Sequence, residues 1–304
     1  MSDHPLRGGI AVITGAGSGF GLEACRIAAR HQMKVVLADV QADALEMAAR
    51  EIEGLGAEAL PFQLDVSKPS EVADLAAVTL QRFGTPNFVF NNAGVGFGGL
   101  VWEANVKDWE WVLGVNLMGV VHGVRVFTPL MLRAEARDPA YRGHIVNTAS
   151  MAGLLNPPNM GVYNVSKHAV VSLTETLYQD LALVSERVHA HVLCPYFVPT
   201  GITRSERNRP PESVDLNAKA TRSQLIQQAM SEKAVGSGKV SAAQVAQFVF
   251  DAMTENRFYV FSHPKALGNV QTRLEDIMTP RNPSDPFKER PEVGAQLRKA
   301  LREA

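Results

Sequence analysis

Tyr163 and Lys167 lie four residues apart in a run whose apolar positions, Val162, Val165, Ala169, Val170 and Leu173, recur with helical spacing. Positions i and i+4 share one helix face, so a phenol and an ammonium placed there can meet at one point. A free phenol titrates near pH 10 and is a poor base at neutrality. A close cation favours the phenolate, by roughly one to three pH units. Such a pair can exchange a proton with an oxygen held nearby, and Ser150, at the head of the same stretch, has a hydroxyl to hold it. Taken alone, the spacing more often marks a half-buried tyrosine beside a solvated lysine. The rest of the chain has to decide between the two.

The first deciding feature is close to the amino terminus. Residues 9–14 form a short apolar run, followed at once by Gly15-Ala16-Gly17-Ser18-Gly19-Phe20-Gly21 and a helical pattern to Arg30. In the order strand, glycine-rich turn, helix, the glycines admit a pyrophosphate close to the backbone, and the helix start offers it free N–H groups and a positive dipole end. Ser18 and Phe20 belong to the same expected anion site. A second strand, 34–38, ends in Asp39, about twenty residues beyond the glycines, where a carboxylate can bond the adenine-ribose hydroxyls. Such a carboxylate repels a 2′-phosphate, and the Val40 and Gln41 that follow carry no cation to offset it. NAD(H) is therefore expected, with NADP(H) the less favoured cofactor, although an aspartate here also suits a turn or a helix cap.

The elements that would position these groups alternate regularly. Helices are expected over 42–54 and 70–83, and strands over 57–64, ending in Asp65-Val66, and over 87–90, closing at Asn91-Asn92-Ala93-Gly94. Small residues there let the chain pass beside a cofactor. A helical region over 108–132 carries Asn116, unfavourable in mid-helix because its side chain competes for backbone hydrogen bonds, and so expected to serve a specific role. Residues 133–142 read as a surface connection. A strand over 145–149 leads to Ser150, and one over 188–193 leads to Cys194-Pro195-Tyr196-Phe197-Val198-Pro199-Thr200. Residues 201–239 turn polar, with a helical patch at 217–233, and read as a substrate lid. Ser241 and Gln244 form a capping box opening a helix to 256, and 258–261 is a last strand. A helix over 266–278, a proline-rich connector and a charged helix complete the chain. Repeated strand–helix crossovers build an α/β fold, a doubly wound parallel sheet with helices on both faces. One domain is expected over 1–262, with the lid at about 201–239 and a C-terminal helical extension, 263–304, packed on it.

Composition narrows the field of partners. Hydrophobic residues make up 46% of the 304 and charged residues 20%, ordinary values for a globular chain. A formal net charge of −1, without a basic cluster in the first two-thirds, argues against nucleic acid. The amino-terminal stretch has no signal-peptide character, and no uninterrupted apolar run looks long enough to span a bilayer, so a cytoplasmic protein with no membrane partner is expected. Cys25 and Cys194 are too few for a disulfide framework. His189 and His191 alternate on a strand, His122 and His168 fall in helices, and no further donor completes a metal site; no metal is expected.

Together, Thr14-Gly15-x-x-x-Gly19-x-Gly21, Asp39, Asp65-Val66, Asn91-Asn92-Ala93-Gly94, Asn116, Ser150, Tyr163-x-x-x-Lys167 and the 195–200 segment resemble the short-chain dehydrogenase/reductase family, over about residues 8–262. The resemblance implies a Rossmann-type sheet of seven parallel strands and a catalytic tetrad of Asn116, Ser150, Tyr163 and Lys167, with Asn116 linking Lys167 to solvent through water. It assigns Thr14, Gly15, Gly19 and Gly21 to the phosphates, Asp65 and Val66 to adenine, and Asn91, Ala93 and Gly94 to the cofactor's adenosine side. Pro195, Val198 and Thr200 fall to the nicotinamide end, where Tyr163 and Lys167 also meet the cofactor. It further implies a homodimer or homotetramer built on the helices that carry Asn116 and Tyr163.

The chain departs from the family pattern at Tyr196, where glycine is usual, and in the tail beyond Phe261. A bulky residue at Tyr196 would be strained if that site required positive φ. Val95, Phe97, Leu154, Leu155, Met160, Tyr196 and Phe197 follow cofactor or catalytic positions and are expected to line an apolar substrate pocket. The expected activity is hydride transfer between NAD(H) and a secondary alcohol or ketone, with a bulky apolar or aromatic substrate and Tyr163 as acid/base. The alternatives are an NADP-accepting 3-oxoacyl (acyl-carrier) ketoreductase, for which Arg204, Arg207, Arg209 and Arg222 of the lid offer cations, and a non-catalytic nucleotide-binding scaffold. A solvated lid surface accounts for those arginines more simply.

Overall fold

The computed structural model describes residues 5–215 and 219–302. Strands β1 (Ile10–Thr14), β2 (Lys34–Asp39), β3 (Ala59–Gln63), β4 (Phe88–Asn91), β5 (Gly143–Thr148), β6 (Val188–Cys194) and β7 (Tyr259–Phe261) pair in parallel as one sheet, in the order β3-β2-β1-β4-β5-β6-β7. Parallel neighbours require crossovers, supplied by α1 (Gly19–Arg30), α2 (Ala42–Gly54), α3 (Pro69–Arg82), α4 (Val106–Leu113), α5 (Gly119–Arg137), α6 (Gly161–Val184), α7 (Arg222–Gly236) and α8 (Ala242–Thr254). Two helices follow β7, α9 (Leu267–Met278) and α10 (Pro291–Arg302).

Because successive strand residues face opposite sides, each strand feeds two cores. Ile13, Leu37, Phe88 and Phe90 pack under α1 and α8, with Phe250 edge-on to Phe88. Val12, Val36, Val89 and Ile145 pack on the other face with Leu75, Phe127, Met131 and Leu177 of α3, α5 and α6. The chain winds outward from β1 to β3 and then returns to place β4 on the other side of β1. The loops leaving β1 and β4 therefore diverge, opening a crevice at the strands' carboxyl ends.

Several boundaries differ from expectation. β3 is shorter than 57–64, since at the sheet edge it has a single neighbour, β2, to pair with. Residues 133–137 are helix rather than connection. α4 and α5 are joined through a π-helical turn, Gly114–Met118, that contains Asn116. Among the described residues one helical stretch, Val106–Arg137, is by length and composition alone apolar enough to cross a bilayer, although polar and charged residues interrupt it. It is partly buried, with Asp108, Asn116, His122 and Glu135 among its buried residues and Val106 and Met118 exposed. In the lid, 3₁₀ turns at Gly201–Asn208 and Pro211–Ser213 precede α7. α7 opens later than expected, on a capping box of Thr221 and Gln224; Asn217, where the patch was expected to begin, lies outside the described residues. Beyond β7, Leu267 and Val270 of α9 rest on the cluster around Val171 and Val192.

Candidate active site

The glycine-rich turn leaves β1 and enters α1. Gly15 and Gly19 have φ of +66° and +56°, which a Cβ would strain. Gly21 is required by packing, because a Cβ there would overlap the Gly15 carbonyl oxygen. Ser18, the residue before α1, makes no capping hydrogen bond, and the first turn of α1 has no acidic residue. Its leading amide groups thus open into the cleft without a side-chain acceptor, a fit for the pyrophosphate of the dinucleotide that the resemblance implies. Thr14 is buried and serves the frame. Its hydroxyl donates to Phe90 O at 3.3 Å and accepts from the amides of Asn92 and Ala93 at 2.9 and 3.1 Å, tying β1 to the end of β4.

At one end of the crevice the Asp39 carboxylate accepts the Gly17 amide at 2.8 Å and the Gln41 amide at 3.0 Å. These bonds hold the carboxylate over the turn. Gly15, Ser18, Gly19, Phe20, Asp39, Val40, Asp65, Val66, Ala93 and Gly94 all line the same cleft, which continues to Ser150, Tyr163, Lys167, Pro195, Val198 and Thr200.

At the other end Ser150, Tyr163 and Lys167 converge. Lys167, 3% exposed, donates from Nζ to Thr148 O at 2.9 Å and lies 5.6 Å from the centre of the Tyr163 ring. Burial lowers Lys167 to about 8. Burial also raises the Tyr163 phenol, and its hydrogen bond with Ser150 acts in the opposite sense. The net direction is upward, opposite to the depression that the Tyr-x-x-x-Lys spacing suggested, so the phenol is the form at neutral pH. Ser150 Oγ accepts the Ala152 amide at 3.1 Å and faces the Pro195 carbonyl at 3.4 Å.

The structure sets other expected residues apart from the cleft. The Asn116 side chain is fully buried and committed: Oδ1 accepts Val95 N–H at 2.8 Å, and Nδ2 donates to Val95 O and Ser166 Oγ at 2.9 and 3.1 Å. It clamps the segment after Gly94 to α6. Asn91 points into the core, donating to Asn147 Oδ1 at 2.8 Å, and its neighbour Asn92 lines the cleft instead. Of the expected pocket residues, Val95 and Tyr196 line the cleft, whereas Phe97 packs beside Trp111 and Leu154 and Leu155 pack beside Met151. Met160 bridges to Gly99, and the Phe197 ring packs tilted against Tyr196 with centroids 4.4 Å apart. Tyr196 is not a positive-φ residue, so its side chain carries no strain there; its amide donates to Ser262 Oγ at 2.9 Å. Trp111, Thr148, Ile202, Ser205 and Asn208 also stand on the lining, where the sequence pattern did not place them, and of the four lid arginines weighed from the sequence Arg207 reaches it. Thr148 could have been found as the residue closing β5 just before Ser150; the lid residues follow only from the lid's path.

Residues 9–211 match the family model for short chain dehydrogenases. The chain is 33% identical, over 89% of its length and 93% of the relative's, to the CLA biosynthesis dehydrogenase/reductase of Lactiplantibacillus plantarum. It is 32% identical, over 89% of each chain, to the 1-deoxy-11-beta-hydroxypentalenate dehydrogenase of Streptomyces avermitilis. Among solved structures, a short chain dehydrogenase/reductase from Burkholderia phymatum in complex with NAD superposes with a TM-score of 0.90 at 50% identity, covering 94% of this chain and 99% of that one.

Proposed function

Since the chain belongs to the short-chain dehydrogenase/reductase family of oxidoreductases, we propose that it transfers a hydride between NAD(H) and a secondary alcohol or ketone, with Tyr163 exchanging the proton. The observation that carries this reading is one continuous cleft with the Asp39 carboxylate at one end and Ser150, Tyr163 and Lys167 at the other. The NAD bound by the half-identical relative supports the cofactor, and the relative named as a dehydrogenase of a hydroxylated compound supports the substrate class.

The open amides of α1 would hold the pyrophosphate and Asp39 the adenine ribose, while Val198 and Thr200 flank the nicotinamide end. When bound, the nicotinamide supplies the hydride chemistry. The chain's own part is to orient and to move a proton. Ser150 directs its hydroxyl at the substrate oxygen and holds it beside the Tyr163 phenol. Tyr163 gives its proton to that oxygen as a ketone is reduced and takes it back as an alcohol is oxidised. Lys167, fixed by Thr148 O, places a positive charge where the phenolate forms. Asn116 acts through its clamp on Val95, which keeps Gly94 beside Lys167: a Cβ on Gly94 would stand 3.3 Å from Asn116 Oδ1 and 3.5 Å from Lys167 Nζ.

Tyr196, Ile202 and Val235 on the lining favour a bulky apolar substrate. Val165, Tyr178, Leu183 and Val184, exposed on α6, favour a homo-oligomer built on that helix, which light scattering tests. The activity is tested with a panel of secondary alcohols, steroids and aryl ketones, followed by the absorbance of NADH. Turnover of at least one apolar member, with a strong preference for NAD(H) over NADP(H), is the expected result. Equal efficiency with both cofactors would count against the role given to Asp39.

A further inference from the structure

Among the described residues the cleft wall carries two carboxylates, Asp39 and Asp65, and two cations, Lys167 and Arg207. Lys167 is held at the Tyr163 end by Thr148 O. The glycine-rich turn contributes backbone dipoles but no charged side chain. Of those two cations, Arg207 is thus the one that the proton-transfer site does not use, and a pyrophosphate is a dianion.

The position of its guanidinium follows from its contacts. Nε donates to Gln41 Oε1 at 3.3 Å, and Nη1 donates to the carbonyls of Gly201 and Arg204 at 3.1 and 3.2 Å. A Cβ on Gly201 would approach Nη2 to 2.9 Å, and a Cβ on Gly19 would stand 3.5 Å from Thr200 Cγ2. The guanidinium therefore lies between Gln41, two residues past Asp39, and Gly201, whose neighbour Thr200 faces the glycine turn. All three acceptors are neutral: they orient the group without neutralising it. Among the described residues Arg207 has no carboxylate partner, whereas Arg209, close by in the same lid, is paired with Asp108 at 2.7 Å and stacks 4.9 Å from the Trp111 ring. The backbone on either side of Arg207 is pinned by that pair and by Ser205 Oγ, which accepts the Gly96 amide at 2.7 Å. With Nε and Nη1 bonded to neutral acceptors, Nη2 keeps its N–H donors, and a fixed cation with donors to spare at the rim of an anion cleft suits a phosphate oxygen.

We propose that Arg207 is the lid's contribution to the dinucleotide site, ion-pairing with the pyrophosphate of NAD(H) from the side opposite the amides of the turn. This rests on the NAD(H) reading above. The test is fluorescence titration of NADH, NADPH, ADP-ribose and adenosine at several KCl concentrations, with wild type, Arg207→Gln, Arg207→Lys and Gln41→Ala, each first shown by circular dichroism to be folded.

Arg207→Gln is expected to weaken NADH and ADP-ribose roughly 10- to 100-fold, the scale of one charged hydrogen-bonded contact. It should also flatten the dependence of affinity on salt and leave adenosine unchanged, and Arg207→Lys should recover part of the loss. Wild-type affinity and salt slope in Arg207→Gln would overturn the proposal. A loss confined to NADPH would also overturn it, placing the cation on the 2′-phosphate. Equal weakening by Gln41→Ala, which leaves the charge in place, would make the role one of lid packing and overturn it too. Wild-type protein that binds no nicotinamide dinucleotide would overturn the cofactor reading itself, a result distinct from the other three.

Discussion

Tyr163 is where burial and function are in tension. Its phenol is the neutral-pH form already, and burial raises it further, so the ready form is the acid. Replacement by phenylalanine is expected to lower turnover by about three orders of magnitude, the scale of losing general acid–base catalysis, while the Kd for NADH changes less than about twofold. Stopped-flow turnover and equilibrium titration check the two halves; near-normal turnover would remove Tyr163 from the mechanism. The same residue sets the sign of the pH dependence. Reduction uses the phenol, already the dominant form, so its rate should stay flat through neutrality and fall above about pH 8, where Lys167 loses its charge. Oxidation needs the phenolate and should rise with pH across the same neutral range. Initial rates in both directions from acid to alkaline pH test this, and parallel profiles would contradict it.

At the scale of elements, the lid is fixed by one buried ion pair. Arg209 and Asp108 are 8% and 6% exposed in their side chains, and Asp108 also closes the capping box with Asn105 that opens α4. Removing one partner strips the other of its short ion pair, leaving Arg209 only a longer contact to Glu206 at 3.7 Å, so Asp108→Ala should cost on the order of 3 kcal/mol. Arg209→Ala should cost a comparable amount, and the double variant less than the sum of the two. Urea unfolding of the four proteins measures the coupling, and additive losses would show that the pair holds nothing. The turn between β1 and α1 makes a second demand. Gly21→Ala drives a Cβ into the Gly15 carbonyl, and NADH binding by that variant should fall at least tenfold while its far-UV circular dichroism stays close to wild type.

Across the whole molecule, β5 and β6 are joined by more than their backbone ladder. His191 Nδ1 donates to Arg257 O at 2.8 Å, which leaves Nε2 to accept His144 Nδ1–H at 2.9 Å. Protonating His191 would break this chain inside the fold, and burial depresses His191 from 6.5 to about 4. A folded pKa below the unfolded one means that stability is fully present above pH 6.5 and is lost as pH falls toward 4. The loss is on the order of 3 kcal/mol for this one group. Urea midpoints measured from neutral pH down to about pH 4 should fall accordingly, and less steeply in His191→Asn; an unchanged slope in that variant would assign the acid sensitivity elsewhere.

Much of this molecule was legible in its sequence, for local reasons. A strand, a glycine turn and a helix share one short segment, so their order announces a dinucleotide cleft, and the period of apolar residues announces the crossovers. Ser150, Tyr163 and Lys167 stood out because their spacing alone puts two of them on one helix face. The roles of Asn116, Asn91 and Thr14 were not legible, since each is decided by partners far along the chain: Val95 and Ser166, Asn147, and the amides after β4. The sequence showed a polar side chain at each of these positions but not which way it points. Arg207 illustrates the same limit. Among the lid arginines nothing in the residue type distinguishes it; the path of the chain alone ties Arg209 to Asp108 and leaves Arg207 facing the cleft. Sequence by itself determined the fold class and the chemistry at hand, because these depend on residue type and short spacing. Tertiary structure decided which groups meet, which are desolvated and which stay charged, because those depend on distances that only folding sets.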